Sequence, residues 1–352
     1  MKSARKIMSI RSLARASGFS IATVSRVLSG KKHVAENTRK KIHGLADRYG
    51  FRPNRVASSV FGRRTGSIGV GIPNLRVSYF ADIAAGIQRQ LLEVDCLPIL
   101  LDFSQDDERK GIRRMIEHRV DGMILSIVDE SLRLPELREI LQSDLPLVMV
   151  DREMTAYATD SVCTDDVNGG RLAGEHLTAL GHRRLGFCYY GEGASTCDTR
   201  LEGFRRTLAQ AGLALRDEDI VRRPPRGADS EARFREDLRR LLLRTDRPTA
   251  IFAPTDLLAR EVYRVARGVG LRIPADLSVV GYADLEFAAF LEPPLTTVRQ
   301  NGLEVGRIAA RLMLQRMEDR DRPAQRIVVP TALVARESAA ALPNATPIAL
   351  GS

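Results

Sequence analysis

The sequence has few of the residues that build metal or disulfide sites. Its four cysteines, Cys96, Cys163, Cys188 and Cys197, form no CxxC pair and have no matching histidine spacing. That argues against structural zinc and a disulfide framework, and reduced thiols in a cytoplasmic protein are expected. His176 and His182 stand six apart and do not share one helix face as metal ligands would. No metal and no cofactor is expected. Long apolar runs are also missing. No stretch of about 18 apolar residues exists, and no apolar N-terminal run precedes a cleavage site, so neither a membrane span nor export is expected. Catalytic signatures fail as well. Thr65-Gly-Ser-Ile-Gly-Val-Gly71 does not give GxGxxG and runs into Ile72-Pro73 rather than a helix, and no P-loop, HExxH or GxSxG occurs. The chain is not expected to be an enzyme.

Acidic residues are scarce in one place only. Residues 1–64 hold sixteen Lys and Arg against Glu36 and Asp47, whereas the other 288 residues carry a net charge of −4. A basic module ahead of a slightly acidic body suits binding to a phosphate backbone. Apolar residues are interleaved there at helical spacing, which disfavours a solvated tail. At 352 residues, 44% hydrophobic and 28% charged, the chain is a soluble globular protein larger than one average domain.

The basic module reads as a helix-turn-helix. Ser9 caps a two-turn helix whose apolar face is Ile10, Leu13 and Ala14. Gly18 supplies the turn, Phe19 packs inward and Ser20 caps the next helix. Over residues 21–28, Val24, Val27 and Leu28 share one face, leaving Ile21, Ala22, Ser25 and Arg26 outward. A small, hydroxylated face with one arginine suits entry into a major groove. A third helix is expected at 36–49, closed by Gly50. Residues 53–62, Pro-Asn-Arg-Val-Ala-Ser-Ser-Val-Phe-Gly, are too short to hold a helix alone. They read as a segment that folds when two copies meet on DNA.

Ser20-Ile-Ala-Thr-Val-Ser-Arg-Val-Leu-Ser-Gly30, His33-Val34, Thr38-Arg39 and Phe51-Arg-Pro-Asn-Arg55 together resemble the headpiece of the lactose-repressor family. The resemblance implies that Ile21, Ala22 and Arg26 read base edges of double-stranded DNA, while Thr23, Ser25 and His33 mainly hold phosphates. Ser20, Ser29, Asn54, Arg55 and Ala57 complete the implied DNA-contacting set. Val60 takes the place of the apolar wedge that enters a central base step, where a leucine is common. Ala35 departs from the family's serine cap on the third helix, a loss typically worth about 1 kcal/mol.

Beyond Ser67 short apolar runs alternate with amphipathic stretches. Strands are expected at 67–72, 97–101, 122–127, 146–150, 185–190, 249–253 and 277–282, with a late strand near 327–333. Helices are expected at 80–94, 106–118, 135–142, 167–180, 199–212, 230–244, 256–269 and 302–317. This alternation indicates parallel α/β sheets in two successive lobes, with a cleft between them. Phe80–Gly86, Arg119–Gly122, Gly181–Arg184, Arg200–Phe204, Ser278–Tyr282 and Pro294–Val298 resemble the same family's effector-binding core, which is similar to periplasmic sugar-binding proteins. His182, after Gly181 and before a strand, reads as a packing residue. The expected organisation is a headpiece over 1–52, a hinge over 53–64, a two-lobed core over 65–340 with lobe crossovers near 152–160 and 283–298, and a disordered tail over 341–352.

By resemblance the effector pocket falls on Asp151, Arg200, Thr255 and Ala283, with Tyr79 and Phe80 as an aromatic wall and Asp284 as a neighbouring acid. The family commonly has Asn at Thr255 and Asp at Ala283. A one-residue shift to Asp284 or Asp256 points a side chain elsewhere, so fewer polar partners than a monosaccharide site offers are expected. The effector is then less hydroxylated, or a sugar held differently, or absent from a core that mainly dimerises. Two headpieces on a pseudo-palindromic operator imply a homodimer. The tail after Arg336 has two prolines and no leucine heptad, against a tetramerising helix. The expected protein is thus a transcriptional regulator, most simply a repressor modulated by a sugar-like small molecule. A transport-type binding protein is the competing reading.

Overall fold

The computed structural model describes residues 9–28, 34–51, 64–103, 108–127, 135–152, 158–190, 195–224 and 229–342. The chain divides into two compact units, residues 1–65 and 66–352. The first holds three helices, α1 (Ile10–Ser17), α2 (Ile21–Leu28) and α3 (Glu36–Tyr49). They close on Leu13, Ala14, Val24, Val27, Ile42 and Ala46, with Ile10, Phe19, Leu28, Val34, Leu45 and Phe51 around them. Local chemistry sets the helix ends. Ser9 accepts from the Ser12 amide at 3.2 Å while the Ser9 amide donates to the Ser12 hydroxyl at 3.1 Å. Gly18 ends α1 at φ 75°, a left-handed position that glycine takes without strain.

The second unit contains two six-stranded sheets. The first lobe begins with β1 (Ser67–Ile72), α4 (Ser78–Leu92), β2 (Leu97–Asp102), α5 (Glu108–Glu117), β3 (Met123–Leu125), α6 (Pro135–Gln142), β4 (Leu147–Val150) and β5 (Asp160–Thr164). The second follows with α7 (Asp166–Ala179), β6 (Leu185–Tyr190), α8 (Ser195–Gln210), β7 (Ile220–Arg223), α9 (Ser230–Leu242), β8 (Ala250–Phe252), α10 (Asp256–Gly268), β9 (Ser278–Ala283) and β10 (Thr296–Arg299). The chain then adds α11 (Gly302–Glu318), β11 (Arg326–Val329) and β12 (Ala332–Val334). Sheet orders are β11-β5-β4-β3-β1-β2 and β12-β10-β9-β8-β6-β7. All pairs are parallel except β10 with β12.

Two expectations are corrected here. The lobe crossovers do not lie near 152–160 and 283–298. Strand β5 pairs with β4 and β11 in the first sheet, so the chain crosses only at Asp165. It returns at Gln300–Asn301, after β10, and crosses a third time at Pro330–Thr331. The single late strand expected near 327–333 is two strands in different sheets. Pro330, which has no amide to donate, interrupts the run between them.

Each lobe borrows a crossover helix. Helix α11, entered from the second sheet, packs its Val305, Ile308, Ala309 and Met313 into the first lobe's core with Ile83 and Ile87 of α4. Helix α7, entered from the first sheet, packs Ala173 and Leu177 into the second lobe with Phe204 and Leu208 of α8. Helices α7 and α8 approach at backbone distance. A Cβ on Gly170 would meet the Arg200 carbonyl, and one on Gly203 the Val167 carbonyl. This close crossing places Arg200 beside the start of α7.

Candidate nucleic-acid interface and effector cleft

In the first unit α2 turns its chemistry outward. Val24 and Val27 are buried, while Ser20, Ile21, Ala22 and Arg26 are exposed and Thr23 and Ser25 are half-buried. Ile21 is 46% exposed although it is a large apolar side chain. Exposing it costs hydrophobic stabilisation, which a partner surface can recover. Ser20 caps α2, accepting from the Thr23 amide at 3.1 Å, with its Oγ 2.9 Å from Thr23 Oγ1. No acid lies in the first turn of α2, so its unsatisfied amides meet an anion unopposed. At α3, Ala35 makes no side-chain cap, as its lack of an acceptor requires. Ser29, His33, Asn54, Arg55, Ala57 and Val60 lie outside the described residues.

In the second unit the expected pocket residues divide. Asp151 follows β4 at φ 68° and is buried. The Tyr79 ring, in the first turn of α4, is buried and lies 5.2 Å from the half-buried Phe80 ring. Its hydroxyl sits near Asp151 without a hydrogen bond of ordinary geometry. Burial pushes the Tyr79 phenol well up, and the charge of Asp151 adds to it. Burial also raises the Asp151 carboxyl, against the opposing pull of Arg152.

Arg200 reaches the same place from α8, held on three sides. Its Nε donates to Asp166 Oδ1 at 3.0 Å, its Nη1 donates to the Pro254 carbonyl at 2.8 Å, and its guanidinium lies 3.8 Å over the Tyr282 ring. Tyr282 also donates to Asp166 Oδ1, at 2.6 Å, and Thr164 Oγ1 does so at 3.2 Å. Gln300 Nε2 donates to Thr164 Oγ1 at 2.7 Å. The network therefore joins the first two crossovers to Arg200. Burial works against the charge of Arg200, but Asp166, Tyr282, Tyr190 and Asp151 raise its pKa well above the ordinary value.

The remaining expected residues do other work. Thr255 caps α10, its hydroxyl accepting from the Leu258 amide at 3.2 Å. Ala283 ends β9 at φ 109° and packs against the first lobe's core. Asp284 is not a free pocket acid: it takes Arg299 at 2.7 Å and Arg336 at 2.6 Å. The one-residue shift from Ala283 gives its carboxylate these partners instead. Asp256 is fully buried, accepting from Thr297 Oγ1 at 2.6 Å and the Leu285 amide at 2.7 Å, and burial pushes its carboxyl up to about 7. Sequence reasoning missed Asp166, Arg152, Tyr190 and Tyr282. The signal for Asp166 was Asp165-Asp166 opening a helix, hidden because β5 before it was not read as a strand.

His182 is buried between Thr249 Oγ1 at 2.9 Å and Ser278 Oγ at 3.0 Å, with the Ala340 carbonyl at 3.2 Å from Nε2, a packing role. No group of three or more His, Cys, Asp or Glu residues placed to hold a metal occurs among the described residues. No helix among them is long and apolar enough to cross a membrane.

A family model of bacterial regulatory proteins, lacI family, matches residues 9–54, and one of a periplasmic binding protein-like domain matches 175–339. The HTH-type transcriptional regulator DegA of Bacillus subtilis is 32% identical over 337 residues, covering 95% of this chain and 98% of DegA. The chain belongs to the lacI family of bacterial regulatory proteins. Among solved structures, the Lac repressor dimer bound to operator and the anti-inducer ONPF superposes on this family member with a TM-score of 0.80, at 25% identity, over 96% of this chain and 100% of that one. The transcriptional regulator CelR–cellobiose complex gives 0.70 at 28% identity, over 94% and 99%. The lacI-family regulator thus has the expected helical headpiece and two-lobed α/β core.

Proposed function

We propose that this lacI-family regulator is a cytoplasmic, homodimeric repressor that binds a pseudo-palindromic operator and changes its operator affinity when an uncomplexed core takes up a small molecule between its lobes. The observation that carries the reading is the outward face of α2, with Ile21, Ala22 and Arg26 exposed on a strongly basic module. In this reading Ile21, Ala22 and Arg26 contact base edges, Thr23, Ser25 and His33 contact phosphates, and residues 53–64 form a hinge with Val60 as its wedge. Tyr79, Phe80, Asp151 and Arg200 form the effector side of the device. Thr255 and Asp284 act as a helix cap and an ion-pair partner.

Effector and operator are then linked reciprocally, because a ligand that prefers one lobe arrangement shifts the headpiece pair with it. A core that only dimerises has no use for a buried Tyr79 hydroxyl held beside Asp151 without a hydrogen bond of ordinary geometry. A transport-type protein has no use for the basic headpiece. The family's regulators, DegA among them, support a non-enzymatic role. Homodimer formation is supported by apolar side chains left in water at the end of α4 and on edge strand β2, including Leu92, Val94, Leu97 and Leu100.

The test is selection of bound fragments from the organism's own DNA, followed by the same selection with metabolites added. Enrichment of a two-fold symmetric sequence, weakened by Arg26→Ala and by salt, is the expected result. Binding without sequence preference at physiological salt rejects the regulator reading.

A further inference from the structure

The charged side chains that meet between the lobes are already paired among themselves, and this carries an inference that rests on the effector reading above. Asp151 lies 3.6 Å from Arg152, and Asp166 takes Arg200 at 3.0 Å. Each of the four is at most 8% exposed. Two carboxylates balance two guanidiniums, so these four groups bring no net charge to the cleft. A lone buried guanidinium would draw a phosphate or carboxylate, because only an anion repays its desolvation. Arg200 is not in that condition. Asp166 neutralises it, Pro254 takes one further donor, and Tyr282 covers one face of its plane.

Outside the four paired charges, the buried polar groups left to a ligand here are hydroxyls; Arg152 Nε makes no hydrogen bond but stands 3.6 Å from Asp151 Oδ2 as an ion pair. The Ser126 hydroxyl is buried without a hydrogen-bond partner among the described residues, and the buried Tyr79 hydroxyl stands beside Asp151 without a hydrogen bond of ordinary geometry. Ser126 and Asp151 follow β3 and β4, so both stand at the carboxyl ends of the first lobe's strands, where ligands of parallel sheets bind. A ligand that hydrogen-bonds to these hydroxyls satisfies groups that are costly to leave unmade.

We propose that Asp166 is a specificity-determining residue: by neutralising Arg200 it makes the cleft a receptor for an uncharged, hydrogen-bonding ligand and bars phosphate esters and carboxylates. Arg200 then orients the ligand as a held donor plane rather than attracting it as a charge. Asp166 acts through Arg200 and the hydroxyl of Tyr282, not by its own contact with the ligand.

Two measurements test this. The source organism's small-molecule extract is separated on anion and cation exchangers, and each fraction is titrated against the full-length protein in operator-binding and thermal-melting assays. Only the unretained, uncharged fraction should shift either reading. A shift confined to a retained fraction overturns the proposal while leaving the effector reading intact, and no shift from any fraction rejects both. In the second measurement Asp166→Asn keeps an acceptor for Tyr282 but removes the charge. It should bind inorganic phosphate about tenfold or more tightly than the natural protein, with the gain abolished by adding Arg200→Met. Equal phosphate binding by Asp166→Asn and the natural protein overturns the proposal. If Asp166→Asn does not fold, the fraction assay on the natural protein decides alone.

Discussion

Arg200 lies 3.8 Å over the ring of Tyr282, and both side chains donate to the same oxygen of Asp166. One carboxylate oxygen therefore gathers a strand of the second sheet, a helix packed on that sheet and, through Thr164, a strand of the first sheet. Buried networks of this kind are stable when every member is satisfied and costly when one is lost.

Tyr282→Phe isolates the hydroxyl, because the ring under Arg200 stays. Asp166 keeps Arg200 and Thr164 as donors, so the loss should be about 1–2 kcal/mol, the scale of one hydrogen bond to a charged acceptor. Urea unfolding checks it as a lower midpoint at unchanged slope. Tyr282→Leu should lose clearly more, since the stacked face goes too. Equal losses in the two variants would show that the hydroxyl, and not the ring, supplies the whole effect.

Two glycines on helices should respond to alanine with opposite signs. Gly170 sits where α7 touches α8, and its added Cβ would strike the Arg200 backbone. Backbone cannot rotate aside, so Gly170→Ala should cost about 2–3 kcal/mol or more and displace Arg200. Gly44 is exposed in the middle of α3, and its added Cβ meets nothing within 4 Å. Gly44→Ala should stabilise the headpiece by about 0.5–1 kcal/mol. Thermal unfolding of both variants reads the contrast; a stabilised Gly170→Ala would mean that the helices do not pack at backbone distance.

His182 gives the fold an acid-sensitive component. Burial lowers its pKa from 6.5 to about 4, with the Ala340 carbonyl opposing the shift and His176 adding to it. The unfolded chain takes up the proton below about pH 6.5, while the folded chain resists until about pH 4. Its contribution to stability is therefore complete above pH 6.5 and lost as pH falls to about 4. At 1.36 kcal/mol per unit the loss approaches about 3 kcal/mol. Denaturant midpoints for the natural protein and His182→Asn, measured from pH 7.5 to 4.5, should converge as pH falls. A constant gap across that window would place the titration elsewhere.

The legible parts of this fold are those with a strong period. Helices α4 to α11 lie within a few residues of their expected spans because long amphipathic stretches repeat at 3.6 residues. Strands with polar letters escaped. Asp160-Ser-Val-Cys-Thr164 is wholly buried as β5, yet alternates no apolar face, because its Asp160 is neutralised by Arg316 and Arg322 from outside the strand. Ile220–Arg223 and Thr296–Arg299 were missed because arginines and threonines break their apolar pattern. Losing β5 moved the first crossover and hid Asp166. At the cleft, resemblance found Asp151 and Arg200. It could not reveal that Asp284 is held by two arginines, since Arg336 lies 52 residues away in sequence.

Helix α3 starts at Ala35, with φ −55°, ψ 139° and no side-chain acceptor for the first-turn amides. This backbone is already extended, as an N-cap residue requires. Ala35→Ser should therefore add a cap without moving the chain, stabilising α3 by about 1 kcal/mol. Hydrogen exchange reads this locally: protection of the Asn37 and Thr38 amides should rise about fivefold, with those of α1 changed less. Because Ile42 and Ala46 of α3 pack in the same core as Val24 and Val27 of α2, a firmer α3 should also hold the outward face of α2 more rigidly. Operator dissociation should then slow in Ala35→Ser, while binding to random DNA, which rests on charge alone, stays the same. Unchanged exchange at Asn37 and Thr38 would mean that another group already satisfies those amides.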